Sequence, residues 1–186
     1  MPHQAVLRNL ADAHRNMERV LTLLRLQADS LRDGDDPVQL TLIGNSVVYM
    51  RNYPGVNHHP TEDFIIDKLK GHARLLCDAL SAHHRGFGQQ ETELLRCIRN
   101  VQGGDKEACQ EVRDRGATYC AENLSHIHDE EQELFPLAMR QLSAKDWQQV
   151  EAHSRAMTDA DIERNELKRY DNLYERLMSL DRKTAG

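Results

Sequence analysis

Apolar residues recur along this chain at intervals of three and four, and no stretch of six alternates convincingly with period two. Leu7, Leu10, Met17, Val20, Leu21 and Leu24 form one stripe, which predicts a first helix from about Gln4 to Arg32. Asp33-Gly34-Asp35-Asp36-Pro37 ends it and puts proline at the first position of the next helix. A second helix is expected from Val38 towards Tyr53, interrupted at Pro54-Gly55 and resuming through His58-His59-Pro60-Thr61-Glu62-Asp63 to about Lys70. Each proline removes a backbone donor, so a distorted, partly opened stretch is expected there. A third helix, about Ala73 to Val101, stops at Gly103-Gly104. Asp105 then caps a fourth helix reaching Gln141, kinked in its last turn by Pro136. Ser143 caps a fifth helix holding Trp147 and Val150, and a last amphipathic segment carries Tyr170, Leu173, Leu177 and Leu180. The predicted fold class is all-α, an up-down four-helix bundle with a C-terminal helical extension. The bundle takes residues 1–145; residues 146–186 pack on it or mediate association, as a homodimer or with a partner protein.

Composition narrows the partners. With 24 Lys and Arg against 30 Asp and Glu, the formal net charge is -6, which disfavours nucleic acid and anionic membrane. No apolar run approaches the ~20 residues of a membrane span. Met1-Pro2-His3-Gln4 has neither the basic nor the apolar stretch of a secretory leader, so a cytoplasmic location is expected. Cys77, Cys97, Cys109 and Cys120 form no CxxC pair and read as reduced packing residues. The outlying residue is histidine, with ten copies.

Spacing gives those histidines meaning. His14, His58, His59 and His126 each precede a carboxylate by four residues: Glu18, Glu62, Asp63 and Glu130. Positions i and i+4 of a helix share a face, so each pair can present an imidazole and a carboxylate to one point. Register separates the inward pairs from the others. His14 lies within the apolar stripe of Leu10, Met17 and Leu21, whereas Glu18 falls at its edge as a candidate supporting group. His58 and Glu62 share a face with Ile65 and Leu69; His59 and Asp63 align with Ile66 and Lys70, a half-solvated face. His84 lies between Leu80 and Phe87, and His126 and Glu130 align with Tyr119 and Leu137. Four helices thus turn a histidine to one axis, and two of them add a glutamate.

Burying two ionised glutamates without a cation costs several kcal/mol each. A metal pair removes that cost and holds the imidazoles neutral. Four imidazoles and two carboxylates without thiolate disfavour structural zinc. No histidine has glutamate three residues before it, which closes the Glu-x-x-His di-iron route of ferritin-like bundles. Six protein ligands over two irons leave positions open for small molecules.

The segment His58-His59-Pro60-Thr61-Glu62-Asp63 resembles the His-His-Pro-x-Glu-Glu/Asp signature of the hemerythrin-like, or HHE cation-binding, family. His126-Ile127-His128-Asp129-Glu130-Glu131-Gln132-Glu133-Leu134-Phe135-Pro136 is similar to its His-x-x-x-Glu-Glu-x-x-Leu-Phe-Pro signature. The likeness covers roughly residues 5–145. It implies a four-helix bundle around two iron ions (Fe2+/Fe3+) with an oxo or hydroxo bridge. The ligands it implies are His14, His58, Glu62, His84, His126 and Glu130, with Glu62 and Glu130 bridging. His59 and His83 are candidate additional ligands, while His3, His72 and His153 are expected at the surface. Oxygen-carrying relatives have two histidines at i, i+4 on the third helix; here Leu80 and Gly88 flank His84, which argues against reversible oxygen storage. The implied function is a sensor or stress-response protein for dioxygen, nitric oxide or iron. The alternative is a di-iron enzyme reducing peroxide or nitric oxide, or an iron donor for iron–sulfur cluster repair, with Tyr119 as a proton or hydrogen-atom source.

Overall fold

Helix is the only regular structure among the described residues. The computed structural model describes residues 2–32, 36–56, 58–159 and 161–184, the side chains of residues 2, 3, 158–167 and 180–184 excepted. Helix α1 (Pro2–Ser30) is followed by α2 (Pro37–Val56), α3 (His58–Leu69), α4 (Arg74–Gln102) and α5 (Ala108–Asp129). One π-helical turn (Glu130–Leu134) leads into α6 (Phe135–Gln141), and α7 (Ala144–Asp159) and α8 (Asp161–Thr184) complete the order.

The caps lie where short acidic and hydroxyl side chains satisfy the first backbone donors. Asp36 accepts from the N–H groups of Val38 and Gln39 at 2.8 and 3.2 Å, and Asp105 from those of Glu107 and Ala108 at 3.1 and 3.3 Å. Ser143 and Asp146 cap α7 reciprocally: the Asp146 N–H donates to Ser143 Oγ at 3.2 Å, and the Ser143 N–H donates to Asp146 Oδ2 at 3.0 Å. The expected break at 33–35 lies outside the described residues.

The prolines behave differently from the sequence expectation. Helix α2 continues through buried Pro54 to Val56 instead of opening at Pro54-Gly55. Pro54 forfeits only its own bond to the Met50 carbonyl, and its ring is buried. Pro60 sits in the first turn of α3, where an N–H would have no acceptor within the helix. The effect of Pro136 appears one turn earlier, as the π turn, in which the Phe135 N–H donates to the Glu130 carbonyl five residues back. Pro136 has no N–H and its ring crowds the carbonyl four residues before it, so the helix widens there.

Helix α1 packs on α2 and α5, and α4 packs on α5, α2 and α3, forming the four-cornered bundle. Helix α7 lies against α1 and α3, and α8 against α2 and α1. The apolar interior falls into two clusters. The larger gathers Met17, Leu21, Leu42, Val47, Phe87, Leu94 and Ile127, and Tyr170 and Leu177 of α8 close it. The smaller holds Leu10, Ile65, Leu69, Leu80 and Leu134, closed by Trp147 and Val150 of α7. Leu180 lies outside the described side chains. All four cysteines are buried, with no disulfide among them. None of the described helices is long and apolar enough to cross a membrane.

A polar layer separates the two clusters. On α1, His14 stands between Leu10 of the smaller cluster and Met17 of the larger. On α4, His84 stands between Leu80 and Phe87 in the same sense, and beyond α5 Glu130 stands between Ile127 and Leu134.

Candidate metal centre

The layer is built from one to three polar residues per helix. His14, His58, Glu62, His126 and Glu130 are buried, and His59 and His84 are partly buried. Their donor atoms form two sets, each with all members within 4.8 Å of one another: His14, His58, Glu62 and Glu130 in one, His59, His84 and His126 in the other.

The two carboxylates face both sets. Glu62 Oε1 lies 3.3 Å from His14 Nε2 and 3.1 Å from His58 Nε2, while its Oε2 lies 3.8 Å from His84 Nε2. Glu130 Oε2 lies 3.3 Å from His14 Nε2, while its Oε1 lies 3.4 Å from His84 Nε2 and 3.3 Å from His126 Nε2. Such contacts are close without being hydrogen bonds. Both oxygens of Glu62 and Glu130, and Nε2 of His14, His58, His84 and His126, are buried with no hydrogen-bond partner. Orphaned polar atoms of this kind cost several kcal/mol. Two ligands on one ion, at bonds of ~2.1 Å and near right angles, stand ~3.0 Å apart. The donor set therefore fits a pair of cations.

Proton affinities follow from the crowding. Burial and Glu130 together push the Glu62 carboxyl up to about 8. Burial opposes charge on His14, but Glu130 and Glu62 outweigh it and raise that imidazole to about 10. Burial likewise opposes charge on His84, where Asp63, Glu130 and Glu62 prevail and raise it to about 10. Burial would also raise Glu130, yet His14, His84 and His126 hold it well below the usual carboxylate range. His126 is lowered to about 4 by burial, against the pull of Glu130, and burial with neighbouring imidazoles keeps His58 and His59 well below 6.5. The protons that His14, His84 and Glu62 retain are those a divalent or trivalent cation would displace, since it binds neutral imidazole and ionised carboxylate.

A second pair of carboxylates orients the histidines. The Nδ1–H of His14 donates to Glu131 Oε1 at 2.9 Å, and that of His84 donates to Asp63 Oδ1 at 2.9 Å. Each fixes a ring so that Nε2 faces inward. The pattern repeats across the bundle: in Glu62-Asp63 and in Glu130-Glu131, the first carboxylate faces the layer and the second reaches a histidine on another helix. Sequence reasoning missed this role, although each signature carries its second acidic residue next to the first. It also missed Glu91, buried in α4, which accepts a hydrogen bond from Tyr119 Oη at 2.8 Å.

Of the remaining candidates, His83 is exposed and belongs to neither set, its ring 5.4 Å from that of His126. His59 lies on a half-solvated face, as expected, and its ring stacks on His84 with centroids 4.2 Å apart. Glu18 is exposed and supports nothing in the layer; Glu131 fills that place. His72 is exposed, as expected, and His3 lies outside the described side chains. His153 is partly buried rather than on the surface, because its ring stacks on Phe64 at 4.5 Å.

The family model described as Hemerythrin HHE cation binding domain matches residues 5–138 of the chain. No match to the chain was found among curated proteins.

Proposed function

The chain belongs to the hemerythrin HHE cation-binding family, and from that premise we propose that its polar layer holds two iron ions and binds dioxygen, nitric oxide or peroxide, as a cytoplasmic sensor or stress-response protein. In this reading His14 and His58 hold one ion, and His59, His84 and His126 hold the other. Glu62 and Glu130 bridge them. The observation that carries the reading is the split of each carboxylate, one oxygen towards each histidine set. Carboxylate and imidazole without thiolate suit iron better than structural zinc. Iron supplies redox chemistry and open coordination positions; the chain's residues orient it, exclude water and set the protons around it. The test is metal content by plasma mass spectrometry together with reversible spectral change on adding the gas. Two irons per chain and a reversible change without turnover are expected. One zinc, or no metal after anaerobic reconstitution with ferrous iron, overturns the assignment.

The Tyr119–Glu91 pair favours a second reading, an enzyme that reduces peroxide or nitric oxide. The Phe87 ring stands between them and the layer, 6.3 Å from the Tyr119 ring and 5.3 Å from that of His126. A phenol hydrogen-bonded to a carboxylate can give up an electron and pass its proton to that carboxylate. On this reading Tyr119→Phe loses hydrogen peroxide turnover while keeping its iron. Turnover at the wild-type rate, or none in wild type, leaves the sensor.

A further inference from the structure

A cavity of about 270 Å³ opens beside the layer, between α1, α3 and the C-terminal helices. Its lining includes buried His58, exposed Asp171 of α8 and partly buried Ser154 of α7. The remaining wall is mixed, with Val6, Leu10 and Ala13 of α1 opposite Tyr53 of α2. The space would hold about nine waters at ~30 Å³ each, far more than one diatomic molecule.

Three observations give it direction. The first is depth: it runs from an exposed carboxylate to a buried imidazole whose other edge faces Glu62 at 3.1 Å. The second is that His58 Nδ1 is buried with no hydrogen-bond partner. The corresponding nitrogens of His14 and His84 are held by Glu131 and Asp63. Of these three, His58 alone has an outer ring nitrogen that no carboxylate holds. The third is charge: among the described residues that line it, Asp171 is the only one with a full formal charge, and no cation joins it there. Anions are repelled at the mouth, whereas uncharged molecules pass.

We propose that this cavity is the route and holding site by which small uncharged polar ligands reach the polar layer, with its outer wall supplied by Ser154 and Asp171 of the C-terminal extension. The destination rests on the metal reading; the route does not. The extension then selects what reaches the site, since without α7 and α8 the wall that carries Ser154 and Asp171 is gone.

The test uses the full-length chain. Metal-free protein is treated with diethyl pyrocarbonate, an uncharged reagent that acylates neutral imidazole, and His58 is followed by peptide mass spectrometry. Ser154→Phe fills the mouth from the extension and is expected to slow labelling of His58 at least tenfold, with helix content unchanged. Asp171→Lys, at an exposed position, is expected to leave labelling at the wild-type rate. In iron-loaded protein the same Asp171→Lys is expected to raise the on-rate of azide severalfold at low salt and leave that of nitric oxide unchanged. Labelling of His58 at the wild-type rate in Ser154→Phe overturns the route, and an azide on-rate unmoved by Asp171→Lys overturns the charge selection. Absence of iron from the wild type removes the metal reading alone, and the labelling then decides the route.

Discussion

Neighbouring carboxylates do different work in this molecule according to which helix they reach. Glu62 and Glu130 face the layer, whereas Asp63 and Glu131 hold His84 and His14 by their outer nitrogens. Removing a carboxylate of this second kind typically costs ~10–100-fold in metal affinity. Glu131→Ala and Asp63→Ala should therefore weaken iron binding by that amount without abolishing it, while Glu130→Ala should lose most iron; titration against a chelator of known affinity separates the cases. Glu91 makes a different prediction. Burial pushes its carboxyl up to about 7, against the pull of the Tyr119 hydrogen bond and of Arg51. The unfolded chain ionises near 4.5, so stability from this residue is complete below that pH and falls as pH rises towards 7. The gap from 4.5 to about 7 amounts to about 3 to 4 kcal/mol at ~1.4 kcal/mol per pH unit. Glu91→Gln keeps an acceptor for Tyr119 and should raise the melting temperature at pH 8 but not at pH 4, read by calorimetry. The residues facing the layer were legible from register because His14, His84 and Glu130 stand among apolar neighbours. Glu91 and the outer carboxylates were not, since their roles depend on a partner on another helix that no local spacing encodes.

At the scale of elements, helix boundaries were legible wherever a cap or a glycine marked them, as at Asp105, Ser143 and Gly103. Two prolines show how context decides. The opening expected at Pro54 is absent, since α2 runs on through it to Val56 with the loss of one backbone bond. Pro136, expected to kink a last turn, accompanies a π turn that begins at Glu130 itself. That wider turn sets how Glu130 faces the layer while Glu131 reaches α1. Pro136→Ala restores an N–H four residues after the Gln132 carbonyl and allows α-helical register through the segment. Iron affinity should drop at least tenfold while far-ultraviolet dichroism keeps its helical signal; unchanged affinity would free the π turn from any part in the site. Ser143→Ala is the control on an element away from the layer. It removes one cap and should cost about 1 kcal/mol, with iron content unaltered.

For the whole molecule, the decisive feature is that the polar layer cuts the apolar interior in two. The all-helical bundle was legible in the periodicity, but the division was not, because each helix carries only a few polar residues at the crossing. Removing metal leaves buried carboxylates to be neutralised by protons, at a cost of several kcal/mol. Apo protein should melt well below the loaded form. Acidification towards pH 5 should release the metal, as protons compete for the imidazoles; iron retained there would count against a histidine-rich site. Cooperativity follows from the same division. With a cation bonded to α1, α3, α4, α5 and the π turn, the two clusters open together; without it, the smaller cluster of α3, α6, α7 and the starts of α1 and α4 is a separate unit free to open first. Amide exchange in α7 should then run ahead of that in α2, which it would not do in the loaded chain. Occupancy of a buried site is in this way translated into the lifetime of a surface helix, a quantity that a protease or a binding partner can sense without touching the metal.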